Sequence, residues 1–206
     1  MISESVVKNI LRKDKLHQGV YMYLRILHLL HSKKVDVSSD AEFQGLYKVF
    51  YVTHFGQSRC KTFEDEYFQI FQDVKDDKDV TPREIYNRVC DITKSCEMSY
   101  ASKMLHNLDT DVPIYDTVVG DAHFGFKRPP YSLDFESRKN KGWAKYEKYQ
   151  DAFHKYVQSA DGQKIVELFD AEFPNNTISS VKKVDFVLWQ DANNAIIIPK
   201  EYKYHR

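Results

Sequence analysis

Lys103 and Asp116 are two side chains whose types and spacing allow catalysis. Lys103 falls on a predicted helix and shares one face of it with Ser99 and Asn107, because these residues lie four apart. Pro113 interrupts the helical pattern, and Asp116 follows at the predicted start of the next helix. An uncharged lysine amine is a nucleophile, and a carboxylate stabilises positive charge that develops beside it. The two residues are therefore candidate working groups of a site.

The same two residues also have a purely structural interpretation. An aspartate at a helix start accepts hydrogen bonds from the free amides of the first turn, which stabilises the helix by about 1 kcal/mol. A buried lysine can be neutralised by an acid, and such ion pairs are often structural. Residue types and spacing leave both interpretations of Lys103 and Asp116 open.

The segment PIYDTVV, residues 113–119, resembles the P-V-D-T-H-V segment of the helix-hairpin-helix DNA glycosylases, such as endonuclease III and the 8-oxoguanine glycosylases. The resemblance implies an all-α, two-lobed protein that binds double-stranded DNA and flips a damaged base into a cleft. It implies that Asp116 is the electrostatic group at the sugar and that Lys103 is a possible nucleophile. The lysine of the glycosylases matches a position near Ser99, and Lys103 lies one turn later on the same face.

The longer pattern SYASKMLH…PIYD is similar to S-F-A-S-K-L-L-H…P-I-Y-D, which marks a group of bacterial proteins of uncharacterised activity. That similarity covers the chain from about Phe63 onward and includes the late segment VKKVDFVLWQ. It implies no particular reaction. The glycosylase resemblance covers only the window around residues 99–126.

Aromatic and polar residues near the pair are candidates for binding a flipped base. Such a base needs stacking partners and hydrogen bonds. The candidates for substrate binding are Ser99, Tyr100, His106, Tyr115 and Phe124, with Phe126 next to them. The alternative is that these rings belong to the hydrophobic core, because the chain has 14 Tyr and 13 Phe.

A basic stretch between Lys127 and Lys155 predicts a nucleic-acid surface. It has eight basic and four acidic residues, a net charge of +4, with interleaved tyrosines and a tryptophan. The candidate phosphate contacts are Arg138, Lys139, Lys141 and Lys145. A solvated helix face has the same composition. The stretch from Glu64 to Asp79 has the opposite sign, with a net charge of −5.

The composition favours a soluble helical protein. The 206 residues carry 30 basic and 30 acidic side chains, which argues against a protein coated in positive charge but does not exclude a local basic face. The three cysteines, Cys60, Cys90 and Cys96, lack metal-ligand spacing, and His28 and His31 have no third ligand at a suitable spacing. We expect no metal, no cofactor, no membrane segment and a cytoplasmic location.

Periodicity predicts an all-α chain, either as a single domain or as two lobes of about residues 1–95 and 96–206. Predicted helices cover 2–12, 16–31, a segment from Ser39 to about Thr53, a segment after Thr62, a segment from Pro82, 100–108, a segment after Asp116, 143–160 and 162–173. Ser39 with Glu42 and Thr81 with Glu84 have capping-box spacing. The third helix is predicted to end at Gly56, and the paired prolines predict a loop in KRPPYSLD. The pattern of VKKVDFVLWQ favours a helix over a strand. The pattern of residues 195–206 is compatible with an extended conformation.

Two hypotheses follow from the sequence. The first is a DNA glycosylase-like protein that uses Asp116 and Lys103. The second is a catalytically inactive scaffold that binds nucleic acid or a protein partner. The retained Lys and Asp favour the first hypothesis. The segment DITKSCEMSY favours the second, because it lacks the glycines whose amides approach a DNA phosphate in the glycosylase hairpin.

Overall fold

A computed structural model describes residues 2–53, 55, 62–191 and 194–203, and within these ranges every regular element is helical. The prediction of an all-α protein is confirmed. The α-helices are α1 Glu4–Leu11, α2 Asp14–Leu30, α3 Ala41–Tyr51, α4 Phe63–Val74, α5 Pro82–Thr93, α6 Met98–Leu108, α7 Phe135–Gln158, α8 Ala160–Glu172 and α9 Ser180–Gln190. A π-helical turn spans Thr117–His123 and a 3₁₀ turn spans Lys200–Tyr202. The predicted helix stop at Gly56, and Cys60, lie outside the described residues.

No helix in the described part of the chain has both the length and the apolar character needed to cross a bilayer.

The helix starts show which predicted caps are used. The capping box of α5 is confirmed, since the side chain of Thr81 accepts from the Glu84 amide and the Glu84 side chain accepts from the Thr81 amide. The predicted cap of α3, Ser39, is wrong. Asp40 has the extended backbone of a cap, and its carboxylate accepts from the amide of Phe43 at 2.7 Å. Thr62 precedes α4 as predicted, but its side chain makes no capping hydrogen bond.

The chain divides into two compact units, each assembled from separated stretches. Unit 1 comprises Met1–Gln18, Asp109–Arg128 and Ala144–Arg206, and unit 2 comprises Gly19–Leu108 and Pro129–Trp143. These bounds differ from two consecutive lobes of 1–95 and 96–206. Helices α2 and α7 contribute residues to both units.

Unit 2 is built around an aromatic core. Helix α5 packs on α4 and α6. The hydroxyls of Tyr47 and Tyr67 lie 2.7 Å apart, and Tyr67 donates to the backbone oxygen of Tyr100 at 2.9 Å. The rings around them belong to Phe43, Phe55, Phe63, Phe68 and Phe71, all buried. Tyrosine serves here as a core residue whose polar end is satisfied by its neighbours.

Unit 1 is built around helix α9, which packs on α1, α8 and the π-helical turn. Nine of its eleven residues are buried, so the helix is enclosed on all sides. The prediction that VKKVDFVLWQ forms a helix is confirmed. After α9, the carboxylate of Asp191 accepts from the amides of Ala195 and Ile196, and no strand forms within the described residues 194–203.

The burial of His123 predicts that the stability of unit 1 depends on pH. Burial lowers the pKa of its imidazole, and Nε2 lies 3.1 Å from the backbone oxygen of Leu188. The unfolded chain therefore binds a proton below about pH 6.5 that the folded chain resists. We expect the free energy of unfolding to fall between pH 7.5 and 5.5, and to fall less in His123→Gln. Urea denaturation at both pH values measures this.

The exposed residue His31 supplies the control for that measurement, because His31→Gln makes the same chemical change at the surface. An equal fall of the unfolding free energy in wild type and His123→Gln would contradict the assignment to His123.

Candidate functional site

Helices α5 and α6 form a helical hairpin in unit 2, and hydrogen bonds within the hairpin stabilise its turn. Lys94 adopts a left-handed backbone with φ 51°, although it carries a side chain. The amide of Ser95 donates to the backbone oxygen of Cys90 at 3.2 Å, and the amide of Glu97 donates to the Cys90 sulfur at 3.2 Å. Because these two amides have intramolecular partners, they are not available to bind a phosphate without rearrangement.

Lys103 lies on α6 and is buried, with 8% of its surface exposed. Its Nζ donates to the hydroxyl of Ser99 at 2.9 Å and lies 5.8 Å from the centre of the Tyr100 ring. Asn107 Nδ2 donates to the Lys103 backbone oxygen at 2.7 Å. Hydrogen bonds therefore connect Ser99, Lys103 and Asn107 along the face of α6 that the sequence predicted them to share.

The other substrate-binding candidates of unit 2 lie in its core. Tyr100 packs against Phe55 and Phe63, with ring centres 5.1 and 5.0 Å away. His106 is fully buried, and its Nε2 lies 3.0 Å from the hydroxyl of Tyr23. These placements agree with the core interpretation of the aromatic residues.

Asp116 lies in unit 1 and caps the π-helical turn, as the structural interpretation predicted. Its backbone is extended, and its carboxylate accepts from the amide of Val119 at 2.7 Å. The residue is partly exposed. A Cβ on Gly120 would lie 2.5 Å from the ring of Tyr115, so this glycine permits the close packing of the turn on that ring. π-Helical turns are rare and often occur at functional sites.

Two tyrosines of α7 donate hydrogen bonds to the irregular segment that leads into Asp116. Tyr146 donates to the backbone oxygen of Pro113 at 2.6 Å, and Tyr149 donates to that of Ile114 at 2.9 Å. Burial raises the pKa of Tyr149 well above its usual value, and the nearby negative charges of Asp185 and Asp116 raise it further. Both carboxylates therefore lie within electrostatic range of one buried hydroxyl.

Tyr115 and Phe124, the substrate-binding candidates of unit 1, are buried. The hydroxyl of Tyr115 donates to Asp121 at 3.0 Å and accepts from Arg128 Nε at 3.2 Å. Burial raises the pKa of Tyr115 to about 12. Phe124 stacks on Phe153 with ring centres 5.1 Å apart.

Lys103 belongs to unit 2 and Asp116 belongs to unit 1. That the two residues act together in one reaction stays a prediction.

The sequence interpretation missed a buried ion pair in unit 1. On α9, Lys182 Nζ lies 2.7 Å from Asp185 Oδ2, and the side chains are only 3% and 6% exposed. The available signal was a pair of opposite charges at i, i+3 spacing within VKKVDFVLWQ, where the remaining residues are mostly apolar. Charged residues of a helix are normally expected to face solvent, and for that reason the pair was not predicted to be buried.

The four predicted phosphate contacts have different surroundings. Lys139 is buried in unit 2, and its Nζ pairs with Asp91 and Glu136 at 3.0 Å each. Arg138 in unit 2 is partly exposed, and Lys141 there is exposed. Lys145 in unit 1 donates to the backbone oxygen of Lys127 at 2.8 Å. Lys141 has the exposure that a phosphate contact requires, whereas the charge of Lys139 is already balanced by two carboxylates.

The described residues contain no group of three or more His, Cys, Asp or Glu side chains arranged to hold a metal ion. No protein-family model matches the chain, and neither a curated protein nor a solved structure matches it. Both sequence resemblances therefore stay predictions.

Substitutions at Asp116 separate its capping role from its charge. Asp116→Ala removes the acceptor for the Val119 amide, and we expect the free energy of unfolding to fall by about 1 kcal/mol. Asparagine caps helices about as well as aspartate, so Asp116→Asn should change stability by only a few tenths of that. Denaturant unfolding measures both variants. Equal losses in the two variants would show that the negative charge, and not the cap, stabilises the turn.

Proposed function

We propose that the chain is a DNA glycosylase-like protein that removes a base from double-stranded DNA. The observation that carries the proposal is the position of Asp116. It caps the first turn after the proline segment, the place that the glycosylase resemblance assigns to the electrostatic group, and the residue is partly exposed. A negative charge there stabilises the positive charge that develops on a sugar as the bond to its base breaks.

Lys103 is the proposed nucleophile. Its amine attacks C1′ of the sugar, the bond between C1′ and the base breaks, and the electron pair leaves with the base. Loss of a proton from the nitrogen and opening of the sugar ring then give an imine. The burial of Lys103 and its hydrogen bond to Ser99 hold the amine in one position, which favours an oriented attack.

The second candidate is a catalytically inactive scaffold that binds nucleic acid or a protein partner. The turn between α5 and α6 favours it, because the amides of Ser95 and Glu97 already have partners within the turn. The ion pairs of Lys139 with Asp91 and Glu136 also favour it. A scaffold needs a binding surface, whereas an enzyme also needs both reactive groups at the sugar.

Borohydride trapping separates the two candidates. We expect the wild-type chain, incubated with duplex DNA carrying an abasic site or a damaged base, to form a covalent adduct on reduction. Lys103→Gln should form none, and Asp116→Asn should release base about 100-fold more slowly. Lys78→Gln is the matched control, because it removes an exposed lysine within the acidic stretch and should leave the adduct unchanged. Binding without adduct or base release in the wild-type chain would leave the scaffold as the function.

DNA binding itself is tested by its dependence on salt. If the basic stretch contacts phosphates, the logarithm of the association constant falls linearly with the logarithm of salt concentration. Lys141→Ala should weaken binding and reduce that slope by about one. Lys78→Ala is the control, because Lys78 is an exposed lysine within the acidic stretch. Affinity that is independent of salt would exclude phosphate contacts as the basis of binding.

A further inference from the structure

Cys90 and Cys96 are free thiols at opposite ends of the turn between α5 and α6, inside unit 2. Cys90 lies in the last turn of α5 and is fully buried, whereas Cys96 lies two residues before α6 and is partly exposed. The proposed glycosylase reaction uses neither of them. Two thiols on one short turn form a disulfide only if their sulfur atoms can approach each other.

The Cys90 sulfur lies beside the backbone of Cys96. It accepts a hydrogen bond from the amide nitrogen of Glu97 at 3.2 Å, and that nitrogen is bonded to the carbonyl carbon of Cys96. Bond lengths then keep the Cα atom of Cys96 within about 6 Å of the Cys90 sulfur. A disulfide joins two Cα atoms that are about 4.4–6.8 Å apart. The two residues are therefore close enough for a disulfide to form by side-chain rotation and local movement of the turn.

The Cys96 sulfur lies between α5 and the first part of α7, which also belongs to unit 2. It is 3.2 Å from the hydroxyl of Tyr86, and that hydroxyl donates to the backbone oxygen of Lys139 at 2.9 Å, so the Cys96 thiol is the donor to Tyr86. A Cβ on Gly142 would lie 2.5 Å from the Cys96 sulfur, which shows that the thiol packs directly on α7. Tyr86 and Cys90 lie four apart and share one face of α5.

We propose that Cys90 and Cys96 form a reversible redox site, which closes to an intramolecular disulfide by exchange with a low-molecular-weight disulfide such as oxidised glutathione. The Cys96 sulfur attacks oxidised glutathione, and the first glutathione leaves with the Cys96 proton. The Cys90 sulfur then attacks the Cys96 sulfur, the bond to the second glutathione breaks, and that glutathione leaves with the Cys90 proton. Two protein thiols are oxidised and one glutathione disulfide is reduced.

The environments of the two thiols set the order of these steps. Burial raises the pKa of the Cys90 thiol to about 12, so Cys90 stays protonated and does not react first with a reagent from solvent. Cys96 is partly exposed and is the entry point. The Glu97 amide at the Cys90 sulfur stabilises the negative charge that develops there during the second step.

The disulfide gives the α5–α6 hairpin a second form. In the reduced form the Cys96 sulfur contacts Tyr86 and packs on α7 at Gly142. In the oxidised form the same sulfur is bonded to Cys90, so the segment before α6 is tied to the end of α5. This inference goes beyond the proposed function and does not depend on it.

The test uses the full chain with Cys60→Ser, which removes the third cysteine. We expect oxidised glutathione to protect both remaining thiols of the folded chain from alkylation and to lower its mass by two hydrogens, with dithiothreitol restoring both thiols. Lys94 lies between the two cysteines, so trypsin separates them and a linked peptide identifies the bond. A glutathione adduct that persists on Cys96 beside a free Cys90 thiol would overturn the proposal, as would a disulfide that forms only in urea.

Two serine variants in the Cys60→Ser chain separate the steps. Cys90→Ser should stop at the glutathione adduct on Cys96, and Cys96→Ser should leave Cys90 unmodified while circular dichroism shows a folded chain. Rapid modification of Cys90 in folded Cys96→Ser would contradict the order of attack. If either serine variant does not fold, the peptide map of the Cys60→Ser chain still decides whether the disulfide forms.

NMR of the same chain tests the second form of the hairpin. The backbone amide signals of Glu97 and Gly142 should shift on oxidation and return on reduction, because the Cys96 sulfur leaves one neighbour and joins another. The amide of Lys78 on the exposed acidic stretch is the reference signal and should not move. A Gly142 signal that is unchanged in the oxidised chain would contradict the departure of Cys96 from α7.

Discussion

The irregular segment before Asp116 depends on hydrogen bonds from two tyrosines. A buried stretch outside helices or strands leaves backbone carbonyl oxygens that require partners. Tyr146 and Tyr149 on α7 supply them for Pro113 and Ile114. These bonds fix where the chain runs before the π-helical turn, and so they fix where the carboxylate of Asp116 lies within unit 1. Loss of either hydroxyl would leave a buried carbonyl oxygen without that partner, at a cost of about 1–3 kcal/mol.

Tyrosine hydroxyls also satisfy buried polar groups in unit 2. The Tyr47 and Tyr67 hydroxyls contact each other, and Tyr67 reaches the backbone oxygen of Tyr100 on α6. Burial raises the pKa of both hydroxyls, so they stay protonated and can donate at any ordinary pH. The aromatic content of the chain therefore fills the cores and also satisfies polar groups inside them. This explains why the base-stacking candidates Tyr100 and Tyr115 are enclosed among other rings.

The candidate site shows which of its features were predictable. The line from Ser99 through Lys103 to Asn107 follows from helical spacing alone, because residues four apart share a face. The cap at Asp116 follows from an acid placed after a proline segment. Lys182 and Asp185 were not predictable as buried, because their exposure depends on how many elements pack around α9. The partners of Lys139 are likewise decided by packing, since Asp91 lies 48 residues away in sequence.

The amino-acid sequence by itself determined the helical class, the start of α5 and most helix positions, because capping and periodicity act over a few residues. Ser39 and Asp40 show the limit of such reasoning. Both can cap, and the backbone conformation at Asp40 decides between them. Tertiary structure alone decided which segments join each unit and which charges are buried. It also decided which tyrosine hydroxyls donate hydrogen bonds to the backbone just before Asp116. Those outcomes depend on contacts between residues far apart in sequence, which local patterns do not encode.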